Sequence, residues 1–312
     1  MKINPILAFS ARRRMRAPRT ALLLSLYGLA VLGFGLATGY ASFLGKTLSL
    51  YDMAQGRGGY ASMMIFQFVM LLLVTPALTA GCISGERERQ TLELLLVTNT
   101  GSLRIVLGKL AESLGLMLLL IAATLPAMCL VLLTGGITLL QVLVGLLFLG
   151  VTAFALLSVG ILCSALLRRT VAATVVAYLT VFAIGLVTLI PLIGDAQRMQ
   201  QLYDATPYYS SAYVPGAAAP EAGRPVLLLG FILNPALGLL SLLAWQTGEM
   251  SSLLSGYYGY SFYGAFNQID FRAMAWYSMA FMAAAGLALD LLAARFVRPR
   301  RGGARQRGSK RA

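Results

Sequence analysis

Six apolar runs, each long enough to cross a bilayer, alternate with short polar or charged stretches along the chain. They cover residues of about 21–44, 63–82, 110–133, 137–167, 171–193 and 273–297, and each is continuous rather than alternating. Continuous apolar runs of this length specify helices, because every backbone polar group in hydrocarbon must be satisfied within its own segment. Strands of a membrane barrel alternate over roughly ten residues and are excluded. The expected fold is therefore all-α: a polytopic membrane protein of six transmembrane helices. Between the runs, residues 45–59, 194–224 and 248–272 read as loops, and Thr134-Gly135-Gly136 and Arg168-Arg169 as tight turns. Residues 226–246 are apolar enough to enter the membrane, but Asn234-Pro235 breaks them in the middle.

Charge decides how that broken stretch is placed. If residues 226–246 dip in and return, 20 of the 25 basic residues fall on one side: the six within 1–19, Arg87, Arg89, Arg104, Lys109, Arg168, Arg169 and those from Arg295 onward. If the stretch crosses, the division is 13 against 12. The positive-inside rule selects the re-entrant arrangement, with both termini in the cytoplasm. Residues 1–19, with Arg12, Arg13, Arg14, Arg16 and Arg19 among apolar positions, read as a basic amphipathic segment lying in the headgroup layer. Residues 298–312 read as a disordered basic cytoplasmic tail. The net charge of +14 thus has a topogenic origin, and no nucleic-acid partner is expected.

Several chemistries drop out. The chain has no His, so imidazole-based zinc motifs, triads and haem ligation cannot be built from it. Cys82, Cys129 and Cys163 lie in or beside separate runs with no metal or redox spacing, and no metal site is expected. Gly45-Lys46-Thr47 resembles the end of a phosphate-binding loop, but Tyr40 stands where the motif requires its first Gly.

The most informative stretch follows the second run. Glu86, Arg87, Glu88, Arg89 and Glu93 fall within eight residues. A charge at mid-bilayer costs at least ~2.5–3.5 kcal/mol, so this segment must lie at the membrane surface. Residues 84–98 read as a short helix: Ser84 can cap it, and Glu86 and Glu88 complement the positive end of the helix dipole. Leu92, Leu95 and Leu96 share one face. Thr98-Asn99-Thr100-Gly101 is a turn, and Ser102 can cap the next helix.

The run Glu86-Arg87-Glu88-Arg89-Gln90-Thr91-Leu92-Glu93-Leu94-Leu95, followed by Ile105-Val106-Leu107-Gly108-Lys109, resembles the cytoplasmic signature of ABC-2-type permeases, the membrane subunits of ATP-binding-cassette transporters. Gln90 stands where such permeases often have Gly, and Asn99 where Pro is common. The resemblance implies that residues 84–98 form a coupling helix seated in a separate cytoplasmic ATPase. Leu92, Leu95 and Leu96 would anchor it, while Glu86, Arg87, Glu88, Arg89, Thr91 and Glu93 would set partner choice and register. It also implies a homo- or heterodimer of permease protomers in the plasma (inner) membrane of a prokaryote. The chain itself would need no cofactor and would not be an enzyme, since the partner binds ATP and Mg.

In such permeases the second and fifth spans face the dimer centre, which makes Gln67, Thr75, Thr79, Thr174, Tyr178 and Thr180 candidate pathway residues. The same side chains serve equally well as helix–helix hydrogen bonds. Asp290 is the one carboxylate well inside a span, either functional or paired with Arg295 or a backbone donor. So few charges in the spans favour a hydrophobic or amphipathic substrate. Two other classes fit the pattern less well: an ATP-independent secondary transporter, which needs mid-membrane coupling carboxylates, and a non-transporting scaffold that docks an ATPase.

Overall fold

The computed structural model describes residues 18–43, 52–90, 101–133, 136–205, 224–248 and 270–297. In chain order its helices are α1 (Pro18–Phe43), α2 (Asp52–Thr79), α3 (Ser84–Glu88), α4 (Ser102–Ala122), α5 (Leu125–Leu133), α6 (Leu139–Leu166), α7 (Thr170–Ala205), α8 (Arg224–Leu233), α9 (Pro235–Thr247) and α10 (Phe271–Val297). Among the described residues, five stretches are helical and apolar for long enough to cross a membrane: Arg57–Glu88, Ser102–Leu133, Leu139–Leu166, Thr170–Thr188 and Phe271–Val297. α1 carries a shorter apolar stretch, Leu24–Ala37. Residues 1–17 of the amphipathic segment, the tail 298–312 and the turn at 98–100 lie outside the described residues.

Three boundaries differ from those expected. The loop assigned to 45–59 is helical from Asp52 onward, since Asp52, Met53, Ala54 and Gln55 offer a helix start that outweighs the glycines behind them. The loop assigned to 194–224 begins only after Ala205. Ala196, Gln197, Arg198, Met199, Gln200, Gln201 and Leu202 are all good helix formers, so the helix continues where apolarity ends. The third run, expected as one helix over 110–133, starts at Ser102 and is broken between α4 and α5. Pro126 lacks the N–H that would bond the carbonyl of Ala122, and at the break the hydroxyl and N–H of Thr124 both donate to Ile121 O, at 2.6 and 3.1 Å.

α6 is the centre of the bundle, with α10, α2, α7 and α4 packed around it. Small residues let these helices approach: Gly160 lies against Thr79 of α2, and Gly286 of α10 against Phe154 and Ala155 of α6. Gly35 of α1 sits against Met63 and Ala127, beside a stacked Phe34–Phe66 pair with centroids 4.3 Å apart. α6 starts with a capping box, in which Thr138 and Gln141 exchange bonds between side chain and backbone.

The broken stretch forms α8 and α9, of 10 and 13 residues, each too short to cross alone. Asn234 separates them and caps α9, its Oδ1 accepting from Ala236 N at 2.8 Å while its Nδ2 donates to Gly185 O of α7 at 3.1 Å. The far end of α9 lies at the N-terminal ends of α2 and α6. There Tyr60 donates to Gln246 Oε1 at 2.8 Å, Gln141 Nε2 donates to Gln246 O at 2.9 Å, and Arg57 donates to Thr247 O at 3.1 Å. Phe231 of α8 meets Phe271, the first residue of α10, edge-on with centroids 6.3 Å apart.

Candidate functional site

The charged stretch grows directly out of α2. Backbone bonds from Ala80 N to Pro76 O, Gly85 N to Gly81 O and Arg87 N to Ile83 O carry the chain through a tight elbow into α3. Of the helix expected over 84–98, residues 84–88 are helical, and Gln90 leaves it with a left-handed φ of 58°. Thr91, Leu92, Glu93, Leu95 and Leu96, with the apolar face expected of them, lie outside the described residues.

Ser84 does not cap α3. It is fully buried, its hydroxyl donates to Ala80 O at 2.9 Å, and no side chain caps the helix, because the elbow leaves no chain break at which a cap is needed. Ser102 is likewise the first residue of α4 rather than its cap, a position held by Gly101. The role of Ser84 is to tie the elbow to α6: Ser164 Oγ accepts from both Ile83 N and Ser84 N at 2.9 Å.

The charges are also engaged within the chain. Glu86 pairs with Lys109 Nζ of α4 at 2.6 Å. Arg87 donates to Leu167 O, at the end of α6, at 3.4 Å. Glu88 accepts from Thr170 N at 2.9 Å and from Thr170 Oγ1 at 3.0 Å, which places a carboxylate at the N-terminus of α7, where N–H groups lack partners and the helix dipole favours negative charge. Arg89 is exposed, and its side chain has no partner among the described residues. Three consecutive charges therefore grip α4, α6 and α7, and the fourth faces outward.

Ser164, Leu167 and Thr170 are site residues that sequence reasoning missed. They lie about eighty positions from the motif, and only the polar character of the turn around Arg168-Arg169 sets them apart.

Four of the six candidate pathway residues satisfy themselves locally. Thr75, Thr79, Thr174 and Thr180 each donate to the carbonyl four residues earlier, at Leu71, Thr75, Thr170 and Val176. Tyr178 of α7 donates to Leu73 O of α2 at 2.5 Å, in the turn loosened by Pro76, so α2 and α7 are neighbours there. Gln67 is buried, and neither side-chain polar atom finds a partner among the described residues. Asp290 is buried on α10 and accepts from Ser158 Oγ of α6 at 3.1 Å; this hydroxyl, rather than Arg295 or a backbone donor, is its partner.

Basic residues gather at the elbow end of the bundle: Arg87, Arg89, Arg104, Arg168, Arg169 and Arg295 lie at helix ends there, and Lys109 joins them through its pair with Glu86. Residues 6–246 match the family described as ABC-2 family transporter protein. The chain belongs to this family. It is thus a multi-pass membrane permease of an ABC transporter, in a family of non-catalytic membrane subunits that implies a partner ATPase. The match takes in α1 to α9, including the elbow and the turn it grips. A comparison with curated proteins returned no match.

Proposed function

We propose that this permease is driven by a separate cytoplasmic ATP-binding-cassette ATPase that docks on residues 84–98, and that two protomers, identical or not, enclose the pathway and export a hydrophobic or amphipathic substrate. The observation that carries this reading is the grip of Glu86, Arg87 and Glu88 on α4, α6 and α7. A push on the elbow cannot move α3 alone, because its side chains are bonded to three other helix ends. Packed helices move as near-rigid bodies, so displacement at the docking surface becomes rotation of the bundle.

The same reading gives six spans, with α1 as the first, and a re-entrant α8–α9 on the external side. Support comes from the shortness of both halves, from the bonds between the end of α9 and the starts of α2 and α6, and from the basic residues collected at the opposite end. Both termini are then cytoplasmic, in the plasma (inner) membrane of a prokaryote. Gln67, with its unpartnered amide between α2 and the core, is the pathway candidate best suited to meet a polar group of a substrate.

The test has two parts. In a background with Cys82, Cys129 and Cys163 replaced by Ser, single cysteines at Arg89 and Gly248 are labelled in intact cells with an impermeant maleimide. Labelling of Gly248 and protection of Arg89 is the expected result; labelling of Arg89 from outside overturns the coupling role. ATP hydrolysis by the co-purified complex in vesicles, with and without candidate solutes, then separates a transporter from a scaffold, since a scaffold accumulates no solute.

A further inference from the structure

Asp290 is the one buried carboxylate among the described residues, and nothing of opposite charge meets it. It faces α6 one turn after Gly286, where a Cβ would collide with the ring of Phe154, so the two helices lie close where the carboxyl enters. Its Oδ2 lies 3.1 Å from Ser158 Oγ, and its Oδ1 is buried with no hydrogen-bond partner among the described residues.

The ionisable groups of the helices packed on α10, which are α6, α9, α8 and α4, lie elsewhere. α6 has no charged residue, and its Cys163 belongs to the flank that meets Ala173 and Ala177 of α7. On α4, Arg104 is exposed, Lys109 is paired with Glu86, and Glu112 stands beside Lys109, three residues on. α9 has no ionisable side chain, and α8 has only Arg224, its first residue, at the end opposite the elbow. On α10 itself, Asp270, Arg272 and Tyr277 stand at the start, about 20 Å or more from Asp290 along the helix. Arg295, five residues on, is exposed and turned about 140° round the helix.

Hydrogen counting then bears on the charge of this carboxyl. Ser158 Oγ has one hydrogen and two acceptors in reach, Phe154 O at 2.9 Å and Asp290 Oδ2 at 3.1 Å. An ionised Asp290 therefore has at most one donor for its two oxygens and no cation, while both side chains are buried. A carboxyl in such a place takes up a proton rather than stay charged. Taken from water onto Oδ2, the proton makes the group neutral and reverses the longer bond. Oδ2–H then donates to Ser158 Oγ, whose own hydrogen goes to Phe154 O, and the oxygen left over is an uncharged carbonyl. We infer that Asp290 and Ser158 form a proton-binding site between α10 and α6, occupied when the two helices are packed as they are here, and that loss of the proton works against that packing. Asp290 lies beyond residues 6–246 matched by the family, and the inference does not rest on the ATPase reading. In water a carboxyl releases its proton above about pH 4. A bundle that holds the proton therefore loses stability as pH rises above that value, by up to about tenfold in the folded-to-unfolded ratio per pH unit, until the site itself empties.

The test uses the full chain in lipid nanodiscs and infrared spectroscopy, in which a protonated carboxyl absorbs apart from a carboxylate. At neutral pH a protonated-carboxyl band is expected that is lost in Asp290→Asn, moved in Ser158→Ala, which removes the acceptor, and unmoved in Ser158→Thr, which keeps it. Thermal melts read the linkage. Asp290→Asn has an amide that donates to Ser158 Oγ as the neutral acid does and cannot ionise. It is expected to melt with the unaltered protein near about pH 4 and increasingly above it as pH rises to about 8. Should Asp290→Asn not fold, the moved band in Ser158→Ala carries the assignment. Absence of the band from the unaltered protein, its survival in Asp290→Asn, its indifference to Ser158→Ala, or an unaltered protein that melts level with Asp290→Asn across this range overturns the inference.

Discussion

Glu88 caps a helix to which it does not belong. Its carboxylate accepts from both the backbone N–H and the hydroxyl of Thr170, at 2.9 and 3.0 Å, and so joins the end of α3 to the first residue of α7. A capping side chain stabilises a helix by about 1 kcal/mol, and here that energy depends on the position of the elbow. Glu88→Ala is expected to cost about 0.5–2 kcal/mol and Thr170→Val less, since valine keeps the backbone N–H. Thermal melts of the purified permease measure the first effect. Transport per ATP hydrolysed is expected to fall in both variants while ATPase co-purification persists, because the link, and not the docking surface, is what they remove.

Arg89 is the contrasting case. Its neighbours are bonded within the chain, whereas its own side chain is exposed without a partner among the described residues. Arg89→Glu is expected to weaken ATPase co-purification with no change in melting temperature, because rim charges govern association more than the fold. Loss of thermal stability in this variant would show instead that Arg89 is part of the internal grip.

Gln90 closes the elbow with a φ of 58°, a conformation that costs a residue with a Cβ about 1–2 kcal/mol. Gln90→Gly is expected to leave the melting temperature unchanged or raise it, with relief of strain offsetting the greater freedom of the unfolded chain. Gln90→Val is expected to lower it, because a β-branched residue tolerates this region least.

Gly160 permits α6 to lie against Thr79 of α2, and a Cβ there would collide with the Thr79 side chain. Gly160→Leu is expected to destabilise the bundle by about 1–3 kcal/mol and to broaden its elution from a sizing column. Gly115 meets nothing within 4 Å, and Gly115→Ala is expected to be neutral or to add up to about 1 kcal/mol of stability.

Much of the architecture was legible from hydropathy alone. The apolar runs give the helical class and the approximate places of the helices, because hydrocarbon leaves the backbone no alternative; Glu86 to Arg89 show that the chain must surface between two of them. Helix ends were less legible. α2 begins early at Asp52 and α7 continues to Ala205, since a helix need not stop where its side chains become polar.

What the sequence determined by itself is the membrane class, the surfacing motif and the family resemblance, all of which are local properties of residue type and spacing. Only the tertiary structure decided that Glu86, Arg87 and Glu88 bond to Lys109, Leu167 and Thr170, that Ser84 ties the elbow to Ser164 rather than capping α3, and that Asp290 meets Ser158. Each of these contacts joins residues brought together by packing of separate helices, and no periodicity along one helix records which end of another will lie beside it.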